Sequence, residues 1–278
     1  MPELPEVETI ARNLHPALVG RKVATAHLLW ERTLATPGAD QFRTRIVGQT
    51  IQDTGRRGKF LILRLSSDYL LFHLRMSGDL WVEPEGGEYA SHDRMVLSLD
   101  DGSRLVFNDT RKFGRAWLVV DPETVVGNLG PEPLGEAFTP LAFYQALKSR
   151  RRQLKPLLLD QAFIAGLGNI YVDESLHRAR LHPLTISQAV SPEQAEALWQ
   201  AIRITLQDGI RRHGSSIDWV YRGGDFQHYF RVYQRTGQPC PQCGALIERI
   251  LVGQRGTHFC PICQPLKTAL ESGDHSLR

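Results

Sequence analysis

At 278 residues the chain is long for one hydrophobic core, and two or three domains are expected on size alone. Its 42% hydrophobic content is that of an ordinary globular protein, and 33 Lys+Arg against 30 Asp+Glu leave a net charge of +3, too small to argue for a polyanionic partner unless the bases cluster. The sequence contains neither a run of eighteen apolar residues nor a charged-then-apolar leader, so it supports neither a membrane span nor secretion, and a cytoplasmic location is the default expectation.

Met1-Pro2-Glu3-Leu4-Pro5-Glu6 opens the chain. Removal of Met1 frees the α-amine of Pro2, and the reference pKa of such an amine, roughly 7.7–8.0, lies well below the ~10.4 of lysine. A useful fraction is then neutral near pH 7. That amine can attack an aldehyde-like sugar carbon and form an iminium, with Glu3 close enough to move protons. The same residues also start helices. Proline and glutamate favour the first turn, and Val7, Ile10, Ala11 and Leu14 follow at helical spacing.

From about Lys22 to Val120 the pattern is of short strands broken by turn residues. Lys59–Leu65 and Tyr69–Leu74 flank Ser66, Ser67 and Asp68 as a hairpin, and Asp101-Gly102 reads as a two-residue turn between Met95–Leu99 and Arg104–Phe107. Strands at this spacing predict an antiparallel sandwich or barrel. Two basic clusters stand out: Arg56, Arg57 and Lys59, then Lys148, Arg150, Arg151, Arg152 and Lys155. Each reads either as a solvated face or as phosphate contact.

The texture changes after Pro131-Glu132-Pro133. Thr139-Pro140 is a helix start, and Ser191-Pro192-Glu193-Gln194 combines an N-cap, a first-position proline and a capping box. That second start opens a long helix with Ala195, Leu198, Ile202, Leu206 and Ile210 on one face. Between the two, Ala165-Gly166-Leu167-Gly168-Asn169 is a glycine-broken turn before another helical stretch.

All four cysteines fall in Cys240-Pro241-Gln242-Cys243 and Cys260-Pro261-Ile262-Cys263. A C-x2-C knuckle brings two thiolates to one ion, and two knuckles joined by a hairpin close a tetrahedral zinc sphere with no open position. The expected cofactor is one structural Zn2+ whose binding supplies folding free energy to a unit too small for its own core. Two disulfides are the competing reading, which the lack of a secretion signal disfavours. Ile247–Val252 and Thr257–Phe259 read as strands, with Gly253, Gln254, Arg255 and Gly256 at their tip.

The Pro-Glu-Leu-Pro-Glu terminus, Gly58-Lys59-Phe60, His73-Leu74-Arg75-Met76-Ser77-Gly78, Gly168-Asn169-Ile170-Tyr171 and the four-cysteine finger together resemble formamidopyrimidine-DNA glycosylase, over nearly the whole chain. The resemblance implies an α+β protein in three parts. An antiparallel β-sandwich with an N-terminal helix spans 1–133, a helix-two-turn-helix DNA-binding domain 134–225, and a β-hairpin zinc finger 232–266, with a tail at 267–278. It implies removal of oxidised purines, such as 8-oxoguanine and formamidopyrimidines, from double-stranded DNA, followed by strand cleavage at the abasic site. The partner is then DNA carrying oxidised bases or abasic sites, met by a monomer in the cytoplasm or nucleoid, with no membrane.

Residue by residue, the resemblance makes Pro2 the nucleophile, Glu3 the acid/base, Lys59 a base near the cleaved phosphates and Arg255 a phosphate-gripping residue assigned to the second elimination. Arginine does not readily give up its proton, so that last role is electrostatic. Met76, Arg111 and Phe113 match residues that fill the stack once a nucleotide is flipped out; on composition alone Met76 and Phe113 read as core. His92, Arg151 and Asn169 match phosphate-facing positions, and Arg150 or Arg152 could replace Arg151 by a shift of register. The family often has Asp-Pro-Arg-Arg-Phe-Gly where this chain has Asp109-Thr110-Arg111-Lys112-Phe113-Gly114, which leaves that loop without its stiffening proline. The stretch from Ser215-Ser216 to Gly223-Gly224-Asp225-Phe226-Gln227 resembles the loop that closes over a flipped base. Two alternatives stand beside this reading: an endonuclease VIII-like glycosylase for oxidised pyrimidines, disfavoured by Leu4, and an inactive zinc-finger DNA-binding protein, disfavoured by Pro2, Glu3 and Lys59 occurring together.

Overall fold

A computed structural model describes residues 1–84, 86–216 and 223–266 of the chain. They pack as two compact units, one of Met1–Gly130 with Gln207–His228 and one of Pro131–Leu206 with the segment from Tyr229 onward. The tail at 267–278 and residues 217–222 of the loop noted above lie outside the described residues.

The first unit begins with helix α1 (Leu4–Leu18), followed by β1 (Val23–Leu28), β2 (Leu34–Thr36), α2 (Ala39–Ile46), β3 (Ile51–Arg57), β4 (Phe60–Leu65), β5 (Tyr69–His73), β6 (Gly78–Glu83), β7 (Asp93–Leu99), β8 (Arg104–Asp109), β9 (Arg115–Val119) and the single turn α3 (Glu123–Val126). The strands form two sheets, ordered β1-β7-β8-β6 and β2-β9-β5-β4-β3. Pairing is antiparallel throughout except for β2 beside β9. Alternation does the sorting. Leu61, Leu63 and Leu65 of β4 meet Leu97, Leu99, Leu105 and Phe107 of the other sheet in one buried cluster, which Val7, Ile10, Ala11, Leu14 and Leu18 of α1 join. Phe72 and Phe107 touch with ring centroids 5.3 Å apart.

Three local features differ from the sequence expectation. Helix α2 interrupts the strand region; only Phe42 and Ile46 of it are buried, too few apolar positions to register as a helical period. Between β7 and β8, Leu99 donates its N–H to the Ser103 carbonyl at 2.8 Å, so the turn between that pair has three residues, Asp100–Gly102: the Gly102 N–H reaches the Leu99 carbonyl at 3.1 Å while Gly102 takes φ +86°, the geometry of a type I turn closed by a left-handed glycine. Lys59 does not open β4. It is the second residue of a tight β3–β4 turn after Gly58 (φ +55°), with Arg57 and Phe60 paired across it.

The second unit contains α4 (Pro140–Lys148), α5 (Leu154–Leu158), α6 (Asn169–Arg178), most of α7 (Pro192–Arg211) and the hairpin β10 (Glu248–Val252) and β11 (Arg255–Phe259). The helix starts form as their sequences require. Thr139 Oγ1 accepts from the Ala142 N–H at 3.2 Å, and Ser191 and Gln194 exchange reciprocal bonds of 3.2 and 3.0 Å. On α7, Ala195, Leu198, Ile202 and Leu206 are fully buried. The finger hairpin turns on two residues, Gly253 (φ +55°) and Gln254 (φ +61°), so Arg255 is the first residue of β11, opposite Val252.

Candidate active site and metal centre

Pro2 and Glu3 are both buried at the start of α1. Glu6 holds Glu3 in place. One of its carboxylate oxygens accepts from the Glu3 N–H at 2.8 Å, and the other accepts from the N–H and hydroxyl of Ser215 at 2.8 and 3.2 Å. Glu6 is itself 2% exposed. The terminus is therefore tied to a residue 209 positions away, just where the chain enters the loop that begins at Ser215. That loop is zipped at its neck: Ser216 donates its N–H to Gln227 at 2.9 Å and accepts from the Gly224 N–H at 2.8 Å, and Gln227 returns a bond to the Gly224 carbonyl. Glu6 was missed as a site residue, although its place three residues after Glu3 is the spacing of a capping pair.

Lys59 is 5% exposed, far from a surface lysine on a strand. Its charge bears on His73, where burial first, then Arg75 and Lys59, push the imidazole down to about 3. His73 is thus neutral at physiological pH. Its Nδ1 accepts from the Arg75 N–H at 3.1 Å, and its ring meets Phe60 edge-on at 4.7 Å. The neighbouring bases of this cluster are otherwise engaged. Arg56 pairs with Glu8 at 2.8 Å, and Arg57 donates to the Leu129 and Gly130 carbonyls at 3.1 and 2.6 Å.

Met76 and Phe113 stand 42% and 49% exposed, so neither belongs to the core. Both follow a residue in left-handed backbone, Arg75 (φ +55°) and Lys112 (φ +60°), a conformation that turns the chain sharply and lifts the next side chain off the sheet. Arg111 lies over the Phe113 ring at 4.9 Å. Asp109, buried, joins the two loops: its carboxylate accepts from the Ser77 hydroxyl, the Arg111 N–H at 3.1 Å and the Gly114 N–H at 2.7 Å, and its carbonyl accepts from Arg94 Nε at 2.7 Å. These bonds pin the two ends of the loop in which Thr110 stands where the family often has proline. His92 is exposed nearby in the chain, its Nδ1 3.3 Å from an Arg94 nitrogen, and its carbonyl accepts from the Asp109 N–H.

In the second unit the basic cluster sorts itself by partner. Lys155 is fully buried, 2.6 Å from Asp173 and 3.0 Å from the Gly256 carbonyl; Arg152 pairs with Asp160 at 2.7 Å; Lys148 caps the Gln188 carbonyl at 2.5 Å. Arg150 and Arg151 are exposed, and among the described residues neither side chain has a hydrogen-bond or ion-pair partner. Asn169 sits at the N-terminus of α6 and donates to the Gly256 carbonyl at 3.1 Å, which places it against the residue after Arg255. Arg255 is exposed at the hairpin tip.

The four cysteines carry no disulfide, and their sulfurs lie within 4.8 Å of one another. The Cys240–Cys263 and Cys243–Cys260 separations are 3.9 and 3.4 Å. Zinc–sulfur bonds of about 2.3 Å at tetrahedral angles put sulfurs roughly 3.8 Å apart, so these two separations lie close to those of a Zn2+ tetrahedron, which small shifts of the thiolates would complete. Among the described residues, Val232, Ile247, Cys240 and Cys260, with Ala245 and Cys263 packed against them, form a small apolar cluster in the finger, the size of core that an ion is needed to hold.

Models of the formamidopyrimidine-DNA glycosylase N-terminal domain match residues 1–116, its H2TH domain residues 129–220, and the zinc finger found in FPG and IleRS residues 237–266. A formamidopyrimidine-DNA glycosylase of Chloroflexus aurantiacus is 50% identical over 273 residues, covering 95% of this chain and 98% of its own. The Lactococcus lactis Fpg in complex with DNA containing N7-benzyl-Fapy-dG superposes with a TM-score of 0.90 at 37% identity, over 95% of this chain and all of that one. The same enzyme with DNA containing an abasic site gives 0.89 at 36%, with the same coverage. With three successive family domains, the zinc-binding thiolates and half-identity to a full-length relative, the chain belongs to the formamidopyrimidine-DNA glycosylase family.

Proposed function

We propose that this chain is a bifunctional base-excision-repair enzyme, a glycosylase for oxidised purines in duplex DNA and a lyase for the abasic site left behind. The observation that carries the reading is the buried Pro2-Glu3 terminus, held by Glu6 at the neck of the Ser215 loop. Once Met1 is removed, the Pro2 lone pair forms a bond to the sugar C1′ and the damaged base leaves with the C1′–N pair, Glu3 carrying protons. Ring opening gives an iminium that acidifies the C2′ proton. Its removal forms a C2′–C3′ double bond and expels the 3′ phosphate with the C3′–O pair; a second elimination across C4′ and C5′ releases the 5′ phosphate.

Lys59, Arg151, Asn169, His92 and Arg255 serve the phosphates in this reading, Arg255 by charge alone because its proton is not available. Met76, Arg111 and Phe113 fill the gap left by the flipped nucleotide, and exposed apolar side chains on loops pinned by Asp109 suit that work. Zn2+ is structural and takes no part in the chemistry. Among the described residues no helix is long and apolar enough to cross a membrane, and we place the enzyme as a monomer on DNA in the cytoplasm. Borohydride added to protein with free Pro2 and a duplex carrying 8-oxoguanine opposite cytosine should trap a covalent adduct. No adduct at saturating protein overturns the enzyme, and faster release of thymine glycol than of 8-oxoguanine overturns the substrate class.

A further inference from the structure

Helix α6 uses one polar edge to hold the segments that follow it. Asn169 bonds the Gly256 carbonyl at 3.1 Å, and Asp173 accepts from the His258 N–H at 2.9 Å. Glu174 accepts from the N–H groups of Arg231, Val232 and Tyr233 at 2.9–3.1 Å, and one turn further His177 brings Nε2 to 3.4 Å from Cys240 Sγ. Positions 169, 173 and 177 repeat every four residues and so share one face. The first three contacts hold backbone. The fourth touches a residue that binds the metal.

His177 and Cys240 are each 3% exposed, and the other ring nitrogen of His177, Nδ1, has no hydrogen-bond partner among the described residues. A neutral imidazole has one N–H to place. On Nδ1 it would be a buried donor with nothing to receive it, and the Nε2 lone pair would face the sulfur; on Nε2 it meets an acceptor. A zinc ion with four thiolates carries a net charge of −2, and N–H groups aimed at sulfur spread that charge. Cys240 already receives the Gln242 N–H at 3.4 Å, as Cys260 receives that of Cys263. Arg178, Arg180, Arg231 and Arg235 place positive charge around His177 as well.

We propose that His177 is a positioning residue of the zinc site: its Nε2–H donates to the Cys240 thiolate, fixes the first knuckle to α6 and slows loss of the metal. Because α6 begins at Asn169, the same helix links the metal site to the hairpin tip beside Arg255. Partners just outside the ligand sphere change metal affinity by about 10- to 100-fold.

Three measurements on full-length zinc-loaded protein test this. Long-range 15N–1H correlation on the wild type should find His177 protonated on Nε2 and bare on Nδ1; the opposite tautomer overturns the proposal. Transfer of zinc to a chromophoric chelator should be at least about tenfold faster in His177→Phe, which keeps an aromatic ring but has no donor. An unchanged transfer rate in that variant overturns the proposal. His177→Gln, whose amide can still donate to sulfur, should restore slow transfer, and a Gln variant as fast as the Phe one overturns it. Should the Phe variant fail to fold, the tautomer and the Gln variant still decide the matter, and none of these readouts depends on glycosylase activity.

Discussion

Replacing Glu6 with glutamine probes the link between the N-terminus and the loop neck with almost no change in shape. The carboxylate offers an oxygen on each side, one to the Glu3 N–H and one to Ser215, both at 2.8 Å. An amide has one oxygen and one NH2, so whichever way it sits, a donor faces a donor. A hydrogen bond to a charged group contributes about 1.5–3 kcal/mol, and a buried donor left unpaired costs about 1–3 kcal/mol. The loss in urea-unfolding stability should therefore be about 2–4 kcal/mol. If the amide turns its NH2 toward Glu3, the strain falls beside the Pro2 nitrogen; each 1.4 kcal/mol of misplacement slows chemistry about tenfold, so single-turnover borohydride trapping should slow by about ten- to a hundredfold while DNA affinity changes little. Gly214→Ala attacks the same contact from the other side. Gly214 takes φ +79°, and an added Cβ would lie 2.8 Å from the Glu6 side chain, so this variant should lose trapping rate in the same manner. A Glu6→Gln protein within about 0.5 kcal/mol of wild type that traps at an unchanged rate would refute the reasoning.

Stability should fall with acid through His73. Its folded pKa of about 3 lies below its ordinary value of 6.5, so the unfolded chain binds a proton that the folded one refuses between those limits. The contribution is full above pH 6.5 and is lost as pH falls toward 3, by about 1.4 kcal/mol per unit, or about 2 kcal/mol at pH 5; urea unfolding of His73→Gln should show that much less pH dependence over this range. Met76→Ala and Phe113→Ala should leave stability within about 0.5 kcal/mol, because both side chains are half exposed, yet reduce base release from lesion duplexes in a gel assay; destabilisation of 2 kcal/mol or more would return these residues to the core. Stripping zinc with a chelator should unfold the finger and raise the salt-sensitive Kd for DNA, as read by fluorescence anisotropy, while circular dichroism from the first unit persists.

What could be read in the sequence was whatever depends on near neighbours in the chain. The two C-x2-C knuckles, the Ser191–Gln194 box, the buried face of α7 and the alternation of β4 are all set by spacings of two to four residues. Misreadings came where a local pattern has a distant partner. Arg56, Arg57 and Lys59 look alike as a basic cluster, yet Glu8 and the Leu129 and Gly130 carbonyls engage two of them in structural bonds. Met76 and Phe113 look like core residues because hydrophobicity carries no record of backbone sign; only the left-handed residues before them, steadied by Asp109, turn them outward. The most consequential contact, Glu6 with Ser215, spans 209 residues. It also bears on the two readings of the Pro-Glu terminus. Helix initiation and the proposed catalysis need not compete there, because the carboxylate that satisfies the first turn of α1 is also the one that holds Glu3, beside the proposed nucleophile Pro2, to Ser215.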